Sequence, residues 1–298
     1  MTIARLLGQI RGNNGEETGA AAADRAVLET AFTLGAAFDA QLRVLHVAMD
    51  PSQALPLLGE GMTGAMASRL TDDLAKSAAA AKATAESLFR ELAQARAVPV
   101  LAEGEAAPVG RFSVMLEQVE GMEEEIAVAR AKLSDLAILA HPTEEEGGSN
   151  PTAEAVLFGS GRPILLAPQP GMKDLPKRMA VAWNGSPEAA RAVALALPIL
   201  KRAEEVIVIS GDSDSGPREA QPSALAGYLE AHGMKVATWR YQPEDWPVAR
   251  SLLQETRKSG AGLLVMGAYG HSRVRQVLLG GATREAFKAG DIALFMAH

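Results

Sequence analysis

The residues with the clearest chemical potential lie between positions 263 and 284, in LLVMGAYGHSRVRQVLLGGATR. A short apolar run ends in Gly267-Ala268-Tyr269-Gly270. Nine residues later Gly280-Gly281-Ala282-Thr283 opens a helical pattern. Gly267 and Gly270 let backbone amides approach a ligand with no Cβ in the way. Gly280 and Gly281 precede a helix start, where free N–H groups and the helix dipole favour an anion. Thr283 is placed to cap that helix or to give its hydroxyl to a phosphate. His271, Arg273 and Arg275 add local positive charge. Together these groups could cradle a nucleoside triphosphate. Turn glycines are common, so each pair taken alone also fits a plain turn or helix start. The spacing is neither the Walker A pattern nor G-x-G-x-x-G.

A cradle of this kind needs a strand to deliver the loop to a sheet edge. Periodicity predicts strands at 179–183, 205–210, 236–241, 263–266 and 292–296. Helices are predicted at 188–202, 223–232, 246–258 and 283–288. Asn184-Gly185-Ser186-Pro187 is turn chemistry, with Ser186 as a helix cap and Pro187 in the first turn. The preceding half repeats the order. Strands are predicted at 4–9, 42–47, 97–101, 136–140 and 163–167. Helices are predicted at 20–38, 71–96, 122–132 and 151–158. An irregular stretch, 50–68, reads as a lid or a spacer. The strands are continuous apolar runs, which suits parallel strands covered on both faces. The Pro- and Gly-rich segment APQPGMKDLPK is the clearest boundary. The expected fold is therefore α/β: two doubly wound five-stranded parallel-sheet domains in tandem, residues 1–168 and 178–298, with 169–177 as linker.

Composition narrows the chemistry. The 298 residues are 48% hydrophobic and 22% charged, ordinary globular usage. With 29 basic and 36 acidic residues the net charge is −7, which argues against a broad nucleic-acid surface. There are no cysteines, so disulfides, thiolate metal sites and thiol catalysis are excluded. Five scattered histidines show no H-x-x-x-H pair, and no metal site is expected. His46 ends a strand and reads as a hydrogen-bonded buried residue. His141 sits at a predicted sheet edge, where a ligand role is conceivable. Trp239, Tyr241 and Trp246 read as packing groups. No stretch approaches the roughly 20 apolar residues of a membrane span. The N-terminal apolar patch is too short for a signal-peptide core. A soluble, cytoplasmic protein is expected.

Gly267-x2-Gly270-x9-Gly280, between the fourth strand and the last helix, resembles the nucleotide-binding signature of the universal stress protein (UspA) family. VAWNGSPEAARAV at 181–193, EEVIVIS at 204–210, LLVMGAYGHSR at 263–273 and DIALFMAH at 291–298 are similar to the family's successive elements. LRVLHV at 42–47 extends the likeness to the first half. The resemblance implies a tandem member with an adenine nucleotide alpha hydrolase-like fold, binding ATP with magnesium through its second half in a stress response. Carried over, the nucleotide contacts fall on Asn184, Gly211, Gly267, Gly270, His271, Gly280, Gly281 and Thr283. Two positions depart from the pattern. Asn184 stands where the family has an acid, and Gly281 where a hydroxyl residue follows the third glycine; Thr283 partly compensates. The first half lacks the glycines and carries Glu144, Glu145 and Glu146 instead, charges that oppose a triphosphate. No positioned base or nucleophile is visible, so the sequence points to slow ATP hydrolysis at most and not to an enzyme. Pairing of the two fifth strands within one chain is expected, giving an internal pseudo-dimer, and further homodimerisation is compatible with it. The competing reading is an interaction module that holds no nucleotide and acts through a protein partner.

Overall fold

The computed structural model describes residues 2–12, 19–48, 64–142, 150–211, 221–242, 248–268 and 290–298. The predicted helix at 283–288 and the residues 50–63 lie outside them. Strands β1 (Arg5–Ile10), β2 (Gln41–Ala48), β3 (Ser113–Glu120), β4 (Leu136–Ala140) and β5 (Ile164–Ala167) come first in the chain. Strands β6 (Arg178–Ala182), β7 (Glu205–Gly211), β8 (Val236–Tyr241), β9 (Leu263–Gly267) and β10 (Ala293–Ala297) follow. All ten form one sheet in the order β3-β2-β1-β4-β5-β10-β9-β6-β7-β8. Read outward from the centre, each half has the same strand order. Every pairing between named strands is parallel except β5 with β10, which is antiparallel with Leu294 opposite Leu166. The expected pairing of the fifth strands is thus present, and it leaves β3 and β8 as the outer edges.

Helices α1 (Gly19–Phe38), α2 (Gly64–Ala95), α5 (Pro187–Leu200) and α6 (Pro222–Ala231) pack on one face, where Leu28, Phe32, Phe89, Val193, Ala196 and Leu229 are buried together. Helices α3 (Glu123–Ala131), α4 (Pro151–Gly159) and α7 (Val248–Lys258) cover the other, around Leu7, Leu139, Val156, Leu166, Ile209 and Leu264. Both clusters contain residues of both halves, so each face has a continuous core. This explains the uninterrupted apolar strands: β5 and β10 are buried at every residue. Phe32 anchors the first face, with Phe89 and Phe112 edge-on to it at 6.4 and 5.8 Å. No helix among the described residues is long and apolar enough to cross a membrane.

Two expectations need correction. The third strand is Ser113–Glu120, not 97–101. In the 97–101 segment Pro99 has no N–H to donate and Ala97 has φ 51°, so only Val100 bridges to Val114. The true strand hides behind its polar residues, because Glu117 is balanced by Arg43 and Arg130 at 2.8 and 2.6 Å. The second helix starts at Gly64, so residues 64–68 of the expected irregular stretch are helical. The segment after β5 is held on α1. Met172 N–H donates to Thr30 Oγ1 (3.0 Å), and Thr33 Oγ1 donates to the Met172 carbonyl (2.7 Å).

Candidate functional site

In an open parallel sheet, ligands bind outside the carboxyl ends of the strands where the strand order reverses. Among the described residues there are two such points, between β1 and β4 and between β6 and β9. The ladder registers make them comparable. Leu6 pairs with Leu136 and Leu42, as Met179 pairs with Leu263 and Val206. Counting along the strands, Arg11 corresponds to Asn184, Gly12 to Gly185, His46 to Ser210, Ala140 to Gly267 and His141 to Ala268. Gly12 and Gly185 share a left-handed backbone, φ 68° and 73°.

Three of the sequence-predicted site residues are described, and they come together at the second point. Asn184 follows β6, Gly211 ends β7 and Gly267 ends β9, three adjacent strands. Asn184 Oδ1 accepts the Ser186 N–H (3.0 Å). Ser186 Oγ accepts the Ala189 N–H (3.2 Å), capping α5 with Pro187 in its first turn as expected. Gly267 has a packing role of its own. A Cβ there would stand 2.5 Å from Ala189 N and from the Glu188 carbonyl carbon, so the glycine lets β9 abut the first turn of α5. Gly270, His271, Gly280, Gly281 and Thr283 lie outside the described residues, as do Glu144, Glu145 and Glu146.

Two polar atoms at this edge are left over. Trp183 Nε1 and Ser210 Oγ are buried and have no hydrogen-bond partner among the described residues. Ser210 is 2% exposed, and leaving a polar group unmade at such depth costs free energy. Among the described residues no group of three or more acidic or histidine side chains is arranged to hold a metal.

The first point is built differently, and sequence reasoning missed its residues. Asp24, on α1, accepts the Arg11 N–H on one oxygen (2.9 Å) and the Gly12 N–H on the other (2.7 Å). Arg11 reaches across the reversal to Asn150 Oδ1 (3.3 Å), and Asn150 Nδ2 donates to the Ala140 carbonyl (3.0 Å). Glu123 Oε1 accepts from Gln9 (2.9 Å) and Thr152 (2.5 Å). Gln9, Asp24, Asn150 and Thr152 are all buried. The available signal was sequence-distant polar residues flanking apolar strands, which only the fold brings together.

The two strand-end histidines are structural in their surroundings. His46 is buried behind Gly12; burial holds its pKa below the usual value, against a bond to the Arg11 backbone. His141 is buried at the junction of the halves, with Nε2 3.2 Å from the Ile292 carbonyl oxygen. Burial pushes its pKa down to about 4, opposed by that carbonyl and the Asp291 charge. Tyr241 packs on the second core, in keeping with a packing role, whereas Trp239 is exposed on the outer strand and donates to Glu255 (3.0 Å); Trp246 lies outside the described residues.

No family model matches the chain, and no curated protein matches it. Solved structures do. A universal stress protein from Archaeoglobus fulgidus DSM 4304 is 17% identical over 98% of this chain and 95% of that one, with a TM-score of 0.64. A candidate universal stress protein from Pseudomonas aeruginosa UCBPP-PA14 is 14% identical over 99% and 93%, with a TM-score of 0.53. A functionally unknown protein from Pseudomonas aeruginosa PAO1 is 15% identical over 99% and 92%, with a TM-score of 0.52. These likenesses span nearly the whole sheet, and the chain has the fold of the universal stress proteins.

Proposed function

We propose that the chain is a tandem universal stress protein, with domains 1–168 and 178–298 joined by 169–177. It binds one adenine nucleotide, with magnesium, at the carboxyl edge of the second domain and acts in the cytoplasm as a stress-linked nucleotide sensor. The observation that carries this reading is the contrast between the two strand-order reversals. At the first, buried and half-buried side chains bond to one another across the crevice, and the one atom left over there among the described residues is His46 Nδ1, on a ring whose burial is offset by a bond to the Arg11 backbone. At the second, Trp183 Nε1 and Ser210 Oγ are buried and unmatched among the described residues, and the sequence supplies glycines and a hydroxyl between β9 and β10. Asn184, Gly211 and Gly267 would meet the nucleoside and ribose, and Gly270, His271, Gly280, Gly281 and Thr283 the phosphates. ATP supplies the anionic phosphates and the adenine ring; the chain supplies backbone donors and the dipole of a helix start.

Thermal unfolding with and without Mg-ATP tests it. The wild type is expected to gain a saturable rise in Tm, and Gly270→Glu, which puts a carboxylate at the phosphate position, is expected to lose it. One observation favours the interaction-module reading: Asn184 Oδ1 is already spent on its own turn. No response of the wild type to millimolar Mg-ATP would select that reading.

A further inference from the structure

The opposite, amino-terminal edge of the sheet holds a second asymmetry. Arg178 and Glu205 are ladder partners at the starts of β6 and β7. Glu205 Oε2 accepts from Arg178 Nε (2.9 Å) and Nη2 (2.5 Å), and Oε1 pairs with Lys235 (3.0 Å). The same register position in the first half pairs Arg5 with Gln41. The carboxylate is missing there, and a small surface cavity of about 30 Å³ stands beside it. Arg5, Gln41, Arg43, Arg130 and Ser134 line it, with Leu133 at the rim.

The charges around this cavity do not cancel. Three arginines, Arg5, Arg43 and Arg130, line it. Glu117 bridges Arg43 (2.8 Å) and Arg130 (2.6 Å). Asp135 is the other nearby acid, and its Oδ2 accepts the backbone N–H groups of Ala4 and Arg5 (2.8 and 3.0 Å). The Arg5 side chain has no carboxylate partner among the described residues. The nearest acceptor recorded for the Gln41 amide is the Met115 sulfur at 3.9 Å, a weak one. Forked guanidinium donors match an oxyanion in geometry as well as charge.

We propose that this cavity binds a compact oxyanion, phosphate or a carboxylate, which takes the place that Glu205 fills in the second half. Arg5 is its principal ligand, with Gln41 and the free edges of Arg43 and Arg130 completing the shell. The site is on the sheet edge opposite the nucleotide reading and does not depend on it.

The test is thermal unfolding of the full chain at neutral pH and constant ionic strength, replacing chloride with inorganic phosphate in one arm and acetate in another. The wild type should show a saturable rise of about 3 °C in at least one arm, and the responding arm identifies the source of the oxyanion. Arg5→Gln should lose that rise while its Tm in chloride stays near the wild-type value. Gln41→Glu installs the carboxylate of the second half. It should raise Tm in chloride and leave nothing for either anion to add. The proposal is overturned if the wild type responds to neither anion, or if both variants respond as the wild type does. Because neither substitution touches the carboxyl edge, a lost ATP response and a lost anion response are separate results.

Discussion

The two halves of the sheet share strand order, register and the left-handed glycine after their first strand, yet different side chains finish their carboxyl edges. After β1, Asp24 takes two backbone N–H groups, and Arg11 and Asn150 tie the ends of β1 and β4 together. After β6, Asn184 turns back on its own loop, and Gly267 seats β9 against α5. The comparison teaches that topology creates the crevice but side chains decide whether it stays available. A buried network that satisfies itself offers little to a ligand, because a ligand must first break it. Orphaned buried groups leave interactions still to be made.

The largest expected effect breaks the sealed side. Asp24→Ala removes the shared acceptor of two N–H groups and should cost about 3 kcal/mol in denaturant unfolding. Asp24→Asn keeps one acceptor and should cost about half as much. A loss below about 0.5 kcal/mol for Asp24→Ala would mean that water replaces the carboxylate and the edge is not sealed by it.

The next effect concerns the position after the fourth strand, His141 in one half and Ala268 in the other. Ala268 donates its N–H to Ala297 (2.8 Å), while the His141 ring reaches into the other half. The folded pKa of His141, about 4, lies below the ordinary 6.5. The folded state therefore binds fewer protons than the unfolded state between these values. Its contribution is fully present above about pH 6.5 and is lost as pH falls towards 4, by about 3 kcal/mol in all. The titrating histidine faces Asp291, which pairs with Arg257 at 2.7 Å and keeps its own pKa low. His141→Gln should flatten the stability profile across this window. An unchanged slope would assign the acid sensitivity to other groups, His46 first.

A smaller effect sharpens the packing side. Gly267→Ala drives a Cβ into the α5 backbone and should cost about 2 kcal/mol. Its counterpart Ala140 already carries a Cβ, and Ala140→Gly should cost less than about 1 kcal/mol. Equal costs would show that β9 is not held against α5 as closely as described.

Most elements were legible because their signals are local. The strands at 136–140 and 236–241 and the Ser186–Pro187 helix start follow from apolar runs, turn residues and capping. β3 was not, since the charges that mark it as a loop, Glu117 above all, are matched by arginines from β2 and α3. At the candidate site Asn184, Gly211 and Gly267 were reached through the family resemblance, and the fold sets them at the ends of three adjacent strands. The Asp24–Arg11–Asn150 network was not, because its members lie up to 139 residues apart and no spacing rule joins them. The clamp of Gly267 on α5 was also hidden, because a glycine that admits a ligand and one that admits a helix look alike in sequence.

The asymmetry of the two carboxyl edges is tested most directly by isothermal titration of the full chain with ATP in excess magnesium. The account predicts one site per chain, abolished by Gly270→Glu and unchanged by Arg5→Gln. Two sites per chain, or one site that survives Gly270→Glu, would contradict it.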